Sequence, residues 1–546
     1  MLNSGKAKVS DRDFQNVTAL HWAAINNRIR VAELLVDRGA EVDAFGGDLM
    51  ATPLHWAARK GHVAVVSYLL RQGANPNVMD SQGFNALHLA VHSSSPLLVL
   101  YLLLSPSCPP LDAVDAQRHT ALMWATYQGD AVSLDLLLQY GANINAQDAT
   151  GFSALHWSAS RHYGECSRRL LLAGADPRTR EEKGRTPEDL AKEMGGGAIW
   201  ERAKASAKLM GGSSLVFLHP SSNAPSSSSA DPSSSSSSAT PSPPPSPLLS
   251  PEWAMRLVYL APFAGVYVGL HTLSLYPWFA GVPLAAILLL LVHWIVLRFL
   301  IPRSSTMREA ASKQEALMKS PYFSSVFQAS ALYAVLHWAF TLSWSTIWVA
   351  PWYNFAWVLF ASIALYAYFS SVLGDPGFIP RPASREERRA VIEDLITEDK
   401  YDARHFCVTC TARKPLRSKH CRYCGRCVAK LDHHCPWIYN CVGARNHRAF
   451  LTFILFMDLA ILMYGAITLF HLQSLSSPYD PIPDRPCFLP SAACGAFQAD
   501  AYSAYLALWI AIQLIWSGFL ALHQLLNVSR GVTTNESANA HRYAHF

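Results

Sequence analysis

Beyond residue 250 the chain is laid out in long apolar runs. Residues 257–297 contain no Asp, Glu, Lys or Arg, the same holds for 320–374 and 501–529, and 449–479 has a single one, Asp458. A membrane-crossing helix needs about 20 mainly apolar residues, so these runs predict two, two, one and one transmembrane helices. Residues 1–200 have the charge and polarity of a soluble domain. Between the two zones, residues 211–250 hold 17 serines and 8 prolines. Such a segment buries too little apolar surface to offset the entropy of ordering and reads as a flexible tether.

The soluble zone repeats itself. TALHWAA begins at Thr18, TPLHWAA at Thr52, NALHLAV at Asn85, TALMWAT at Thr120, SALHWSA at Ser153 and TPEDLAK at Thr186. Gly-Ala turns recur at Gly39, Gly73, Gly141 and Gly174, where a helix end needs a residue that tolerates positive φ. A period of about 33 residues with T-P-L-H-x-A is the ankyrin signature, a turn followed by two antiparallel helices that stack on their neighbours. Ankyrin arrays bind proteins through a concave groove. Tryptophan follows the motif position at Trp22, Trp56, Trp124 and Trp157. One reading is that these indoles seal neighbouring repeats. The sharper one is that some, Trp56 first, anchor a partner peptide, with Asn26 as a polar contact beside it.

Charge sets the expected topology. Charged residues make up 15% of the chain, against about 25% in soluble proteins, which argues against both a disordered chain and an ordinary cytosolic enzyme. The segment 298–327 carries five Lys or Arg and 375–448 carries fifteen; the opposite connections, around Ser274–Pro277 and Ala350–Pro351, carry none, and 471–501 only Arg485. The positive-inside rule therefore predicts that both termini and the cysteine-rich stretch between spans four and five are cytosolic. Met1–Ser10 is polar, so no cleavable signal peptide is expected.

Seven of the eleven cysteines lie between Cys407 and Cys441. The stretch reads Cys407-V-T-Cys410, then His420-Cys421-R-Y-Cys424-G-R-Cys427, then Asp432-His433-His434-Cys435-Pro436-Trp437 and Asn440-Cys441. Two-residue gaps between cysteines suit a tight turn around a tetrahedral zinc ion. Seven Cys and three nearby His exceed one site, while two closed sites need eight ligands. Two groups are left over, and the D-H-H-C cluster is the natural place for them. A spare cysteine beside Asp and His has the makings of an activated nucleophile.

The block from Cys407 to Phe450 resembles the cysteine-rich domain of the DHHC protein S-acyltransferases. Asp375-Pro376-Gly377 after the fourth span matches that family's D-P-G, and Thr533-Thr534-Asn535-Glu536 after the sixth matches its T-T-x-E. Six spans behind ankyrin repeats resemble its ankyrin-bearing branch, the huntingtin-interacting palmitoyltransferase type. The resemblance implies two structural zinc ions, one on Cys407, Cys410, His420 and Cys427, the other on Cys421, Cys424, His434 and Cys441. It implies further that Asp432 orients His433, that His433 takes the proton of Cys435, and that Cys435 carries the acyl group from palmitoyl-CoA to protein cysteines. Thr533 would steady Asp432, and Asp375 would support the fold nearby. The expected partners are acyl-CoA, membrane lipids and protein substrates docking on the repeats, with no nucleic acid; the expected location is an endomembrane, the Golgi first. The chain stops at Phe546, so the family's further C-terminal segment is expected to be absent or shortened. From Arg404 to Arg448 there are ten Lys or Arg and one acid, Asp432, which suits the phosphates of CoA and an anionic leaflet.

The expected architecture is all-α: ankyrin repeats over 1–200, linker 201–255, spans one to four over 256–374, the cysteine-rich catalytic domain over 375–448, spans five and six over 449–526 and a C-terminal segment over 527–546. In it the linker is the tie between the array and the catalytic zone. Asp458, near the middle of the fifth span, receives no role. Cys487 and Cys494 are spaced for a possible disulfide, and Cys108 and Cys166 read as small core residues. Two other classes compete. A six-span cation channel behind ankyrin repeats needs a pore segment between spans five and six, where S-P-Y-D-P-I-P-D-R-P-C is too proline-rich for a pore helix. A membrane scaffold with an inert zinc domain would leave Cys435 without purpose.

Overall fold

The computed structural model of the chain describes residues 8–210, 250–304, 312–475 and 490–542. Two compact units form: the N-terminal repeats together with Pro382–Arg413, and Leu249–Arg381 together with the chain from Lys414 onward.

Six helix pairs make up the repeats: α1 (Ala19–Ile25) and α2 (Ile29–Asp37), α3 (Pro53–Arg59) and α4 (Val63–Arg71), α5 (Ala86–His92) and α6 (Pro96–Leu104), α7 (Ala121–Gln128) and α8 (Ala131–Gln139), α9 (Ala154–Ser160) and α10 (Gly164–Leu172), α11 (Pro187–Glu193) and α12 (Gly197–Met210). Each inner helix starts from the motif's first residue, where Thr18, Thr52, Asn85, Thr120, Ser153 or Thr186 forms a capping box. The motif histidine explains the strength of the repeat. Nδ1 of His21, His55 and His156 bonds the cap hydroxyl at 2.9, 2.7 and 2.9 Å. Their Nε2–H donates to Ala51, Val78 and Arg185 carbonyls in the next repeat, at 2.9, 2.9 and 3.3 Å. Each buried imidazole is thereby satisfied at both nitrogens, and the cap of one repeat is tied to the turn of the next. Gly39 and Gly73, after the outer helices, sit at φ 86° and 90°, where a side chain would strain the backbone.

In the second unit α13 (Pro251–Leu275) and α14 (Trp278–Ile295) are followed by the short α15 (Lys313–Met318), α16 (Tyr322–His337), α17 (Ser343–Thr346) and α18 (Pro351–Leu373). Helix α19 (Arg385–Thr397) leads into three hairpins, β1 (Phe406–Cys407) with β2 (Ala412–Arg413), β3 (Lys419–Cys421) with β4 (Arg426–Val428), and β5 (His433–Cys435) with β6 (Asn440–Val442). Then come α20 (His447–Leu475), α21 (Ser491–Ala499), α22 (Ala501–Ser529) and α23 (Thr534–Ala538). Among the described residues five helices are long and apolar enough to cross a membrane: Pro251–Leu275, Trp278–Arg303, Pro351–Leu373, His447–Leu475 and Ala501–Ser529. They fit a multi-pass membrane protein. The remaining expected span is helical but divided: a π turn over Trp338–Leu342 separates α16 from α17. The Trp338 indole N–H donates to Asn354 of α18 at 2.8 Å, and widened turns of this kind accommodate such inserted contacts. Asp458 is met by the Ser517 hydroxyl of α22 at 2.5 Å. Cys494 is disulfide-bonded, while Cys487 and most of the proline-rich loop before it lie outside the described residues. Residues 211–249 of the Ser/Pro linker lie there too, while 201–210 belong to α12 and 251–255 open α13, so the expected linker bounds of 201–255 are too wide at both ends.

The expectation that the linker alone ties the array to the catalytic zone is corrected here. The outer helix α6, PLLVLYLLL, is apolar on every face, so one of its faces needs a cover that a stacked repeat does not supply. The cover is α19. Ile392 and Leu395 are fully buried and join Phe406 in the core of the repeats. Arg385 donates to the Leu103 and Ser105 carbonyls at 2.6 and 3.2 Å, and the Tyr401 hydroxyl to the Leu97 carbonyl at 3.0 Å. Arg413 grips Glu398 with two bonds of 2.7 and 2.6 Å, fixing the first hairpin to the end of α19. The segment from Pro382 to Arg413 is thus part of the ankyrin unit, although the sequence places it after the fourth span.

Candidate active site

Short hairpins bring the metal-type ligands face to face. Across β3–β4 His420 is paired with Cys427, and across β5–β6 His434 with Cys441. The backbone turns sharply after Cys410 and Cys424, where Thr411 and Gly425 sit at φ 48° and 62°. Two groups result, Cys407, Cys410, His420 and Cys427, and Cys421, Cys424, His434 and Cys441, each with its four ligand atoms within 4.8 Å of one another. In the second group Cys424 Sγ lies 3.3 Å from Cys441 Sγ and 3.4 Å from His434 Nδ1. A tetrahedral zinc with bonds of about 2.0–2.3 Å requires ligand separations of about 3.3–3.8 Å, so the residues fit that ion. The Tyr423 ring stacks on His434 with centroids 4.9 Å apart.

Asp432, His433 and Cys435 belong to neither group. Asp432 is buried, 1% exposed, and its Oδ2 bonds His433 Nδ1 at 2.7 Å. Cys435 is also buried, two residues along the same strand, and interacts electrostatically with the same imidazole. Burial of the ring disfavours its charged form, but the bond to Asp432 and the nearby Cys435 sulfur outweigh that and push its pKa up to about 9. Burial would likewise raise the Asp432 carboxyl; the bonds from His433, the Thr534 N–H and Gln524 instead hold it far below the usual carboxylate range.

What holds Asp432 was only partly legible in the sequence. Its Oδ1 accepts the Thr534 backbone N–H at 2.7 Å, its Oδ2 the Gln524 amide at 2.9 Å, and its carbonyl the Asn535 N–H at 3.1 Å. Thr533 acts one step back, as the N-cap of α23: its hydroxyl accepts Glu536 N–H at 3.2 Å while Glu536 accepts Thr533 N–H at 2.8 Å. Glu536 is gripped by Arg417 at 2.7 and 2.5 Å. The T-T-x-E stretch therefore presents the first turn of a helix to a carboxylate, where N–H groups and dipole favour negative charge. No spacing rule pointed to Gln524. Asn440 was also missed; it sits opposite Cys435 in the hairpin and donates to the Ser371, Val372 and Gly374 carbonyls at the end of α18, at 3.1, 3.2 and 2.9 Å.

Asp375 caps its own turn, accepting Gly377 and Phe378 N–H at 2.9 and 2.8 Å, and pairs with Arg445 at 2.6 Å. Phe378 then bridges to Val428 and lays the D-P-G segment against β4. Gly443 is required there, because a Cβ would stand 2.5 Å from the Pro376 oxygen. Cys435 itself sits in an apolar cluster with Ala364, Tyr368, Phe453 and Met457 of α18 and α20. Next to that cluster is an apolar cavity of about 90 Å³, bounded by Phe327, Ala364, Met457, Tyr464 and Ile510. The thiol thus lies against the membrane helices. Of the ten basic residues, Arg413, Arg417 and Arg445 are seen in ion pairs with Glu398, Glu536 and Asp375.

On the repeats, the indole N–H of Trp22, Trp124 and Trp157 donates to Asp13, Asp115 and Asp148, each at 3.0 Å. Trp56 differs. Its repeat has Gly47 where the others have the aspartate, and no described side chain accepts its N–H. Trp56 is half-buried and packs edge-on to His21 and Trp22, with centroids 5.3 and 5.7 Å away. Asn26 is exposed at the end of α1 and donates to the Trp22 carbonyl at 2.8 Å.

Comparison with known proteins agrees with this geometry. Residues 400–541 match the DHHC palmitoyltransferase family model, and 15–46, 44–109 and 98–181 match ankyrin-repeat models. The chain is 38% identical over 471 residues to Palmitoyltransferase AKR1 of Mortierella alpina, covering 86% of this chain and 74% of that protein. The chain belongs to the ankyrin-repeat DHHC palmitoyltransferases. Further members of this family are Palmitoyltransferase akr1 of Emericella nidulans, 36% identical over 97% of this chain and 67% of its own length, and AKR1 of Saccharomyces cerevisiae, 32% identical over 96% and 65%. As a DHHC palmitoyltransferase it is a protein S-acyltransferase, and the channel and scaffold readings fall away. In this family the two Cys/His groups are of zinc-binding type, and the repeats are of a protein-binding type.

Proposed function

We propose that Cys435 is the acyl carrier of a two-step transfer from palmitoyl-CoA to protein cysteines. The observation that carries this reading is a buried thiol that belongs to neither metal-type group, in the same short strand as an imidazole that a buried carboxylate holds in place. His433 accepts the Cys435 proton, and Asp432 orients the ring and stabilises its charged form. The Cys435 sulfur forms a bond to the thioester carbonyl carbon; the carbon–sulfur bond to CoA breaks, and the CoA thiolate leaves with a proton. In the second step a substrate cysteine attacks the Cys435 thioester and the enzyme thiol is regenerated. Each step exchanges one thioester for another, so the chemistry is close to level in energy and only barriers need lowering.

Cys407, Cys410, His420 and Cys427 would hold one structural zinc, and Cys421, Cys424, His434 and Cys441 the other, stabilising the hairpins without entering the reaction. The apolar cavity beside the Cys435 cluster would take part of the acyl chain. Trp56, with its N–H unclaimed, and the nearby Asn26 would anchor substrate segments on the repeats. The excess of basic residues from 375 to 448 supports a cytosolic face for both termini and the site, and a Golgi or neighbouring endomembrane is the compartment proposed. The test is a pulse and chase with clickable palmitoyl-CoA in detergent: label enters the protein in the pulse and leaves it when a cysteine-containing substrate is added. Label that enters but is never released to a thiol acceptor would contradict the second step.

A further inference from the structure

Gln524 of α22 is fully buried, and all of its polar capacity meets the active site. Its Nε2 donates to Asp432 Oδ2 at 2.9 Å and to the Thr534 hydroxyl at 3.0 Å. Its Oε1 accepts the Nε2–H of His447, the first residue of α20, at 3.0 Å. The two ends of an amide differ, so this arrangement fixes which end faces the carboxylate: with a ring N–H on one side, the oxygen must point there and the NH2 group toward Asp432. The oxygen it contacts is the one that bonds His433 Nδ1 at 2.7 Å.

We propose that Gln524 is a positioning residue for acyl transfer, acting through Asp432. The inference rests on the roles assigned above to Asp432 and His433. The last span supplies a neutral donor that restrains Asp432 Oδ2 against His433 Nδ1 without adding a charge. A second acid here would repel Asp432, and an apolar residue would leave a buried acceptor short of a donor. The amide does neither, and it ties Asp432 to the fifth and sixth spans together, through His447 and α22. Distortion of either helix would reach the reacting pair through this one side chain.

The experiment is a double-mutant cycle on the full-length protein in detergent, reading self-acylation rate against palmitoyl-CoA concentration and zinc content. Gln524→Met keeps the bulk and removes the polar atoms. Alone, it lowers the rate at saturating palmitoyl-CoA about tenfold or more, as loss of an outer-shell partner does, with KM within about twofold and metal content equal to the parent protein. On an Asp432→Asn background the same change alters the rate by less than about twofold, because the group it acts through has gone. Gln524→Glu, equal in size but with an acceptor facing Asp432, follows the same pattern and decides the matter should the Met variant fold poorly. An equal factor in both backgrounds, or no loss with Gln524→Met or Gln524→Glu, overturns the inference. Should Asp432→Asn itself leave the rate unchanged, the triad reading fails instead.

Discussion

At the scale of single residues the chain separates groups by what their neighbours leave unsatisfied. Of its four motif tryptophans, three spend their N–H on an aspartate of their own repeat, and these stiffen the turn they came from. Trp56 is opposite Gly47 and keeps its donor available. Trp56→Ala is therefore expected to reduce transfer to substrates that dock on the repeats, with about 2 kcal/mol of binding lost, roughly thirtyfold in affinity, while self-acylation holds. Binding of a substrate peptide to the full-length protein, measured beside self-acylation, checks this; equal loss of both contradicts it. Ligand counting left two groups over in the D-H-H-C stretch and the family resemblance pointed to Asp432, His433 and Cys435, which stand outside both metal-type groups. Gln524 and Asn440 were not legible in the sequence, because an amide carries no spacing signal and becomes informative only when the fold brings it to a carboxylate or a helix end.

At the scale of elements, the metal-type groups are products of pairing register. A hairpin places His434 opposite Cys441 and His420 opposite Cys427, so a ligand from each side of a turn reaches a common centre. These strands are two or three residues long and bury little surface of their own, so their stability is expected to come from the bound ion. Cys424→Ser is expected to lower zinc content by at least one ion per chain and to make residues 414–446 sensitive to protease. Metal analysis returning the parent value would contradict the ligand assignment. Five of the six expected spans, those long and apolar enough to cross a membrane among the described residues, were readable from runs nearly free of charge. The π turn within Trp338–Leu342 was not, since it depends on an indole finding Asn354 on the neighbouring helix.

For the whole molecule, the order of residues along the chain misled in one respect: 382–413 reads as the start of the catalytic domain yet completes the ankyrin core. Helix α6 carried the clue, nine residues without a polar face, which a stacked repeat has no use for. A protease site placed after Pro247 is therefore expected to cut the linker without releasing the array, because burial of Ile392 and Leu395, each worth about 1.5–3 kcal/mol, still holds it. Adding Ile392→Asp should let the array go; release on cutting alone, seen as separate elution in detergent, would contradict the arrangement. In the proposed function one sulfur carries the acyl chain to a substrate thiol, and that sulfur is the central claim. The most direct measurement is to incubate the purified protein and its Cys435→Ser variant with clickable palmitoyl-CoA and map the label by mass spectrometry. The account predicts hydroxylamine-labile label on Cys435 and none on the variant, whose zinc content is unchanged; undiminished labile label on Cys435→Ser, or label mapped to another cysteine of the parent protein, would contradict it.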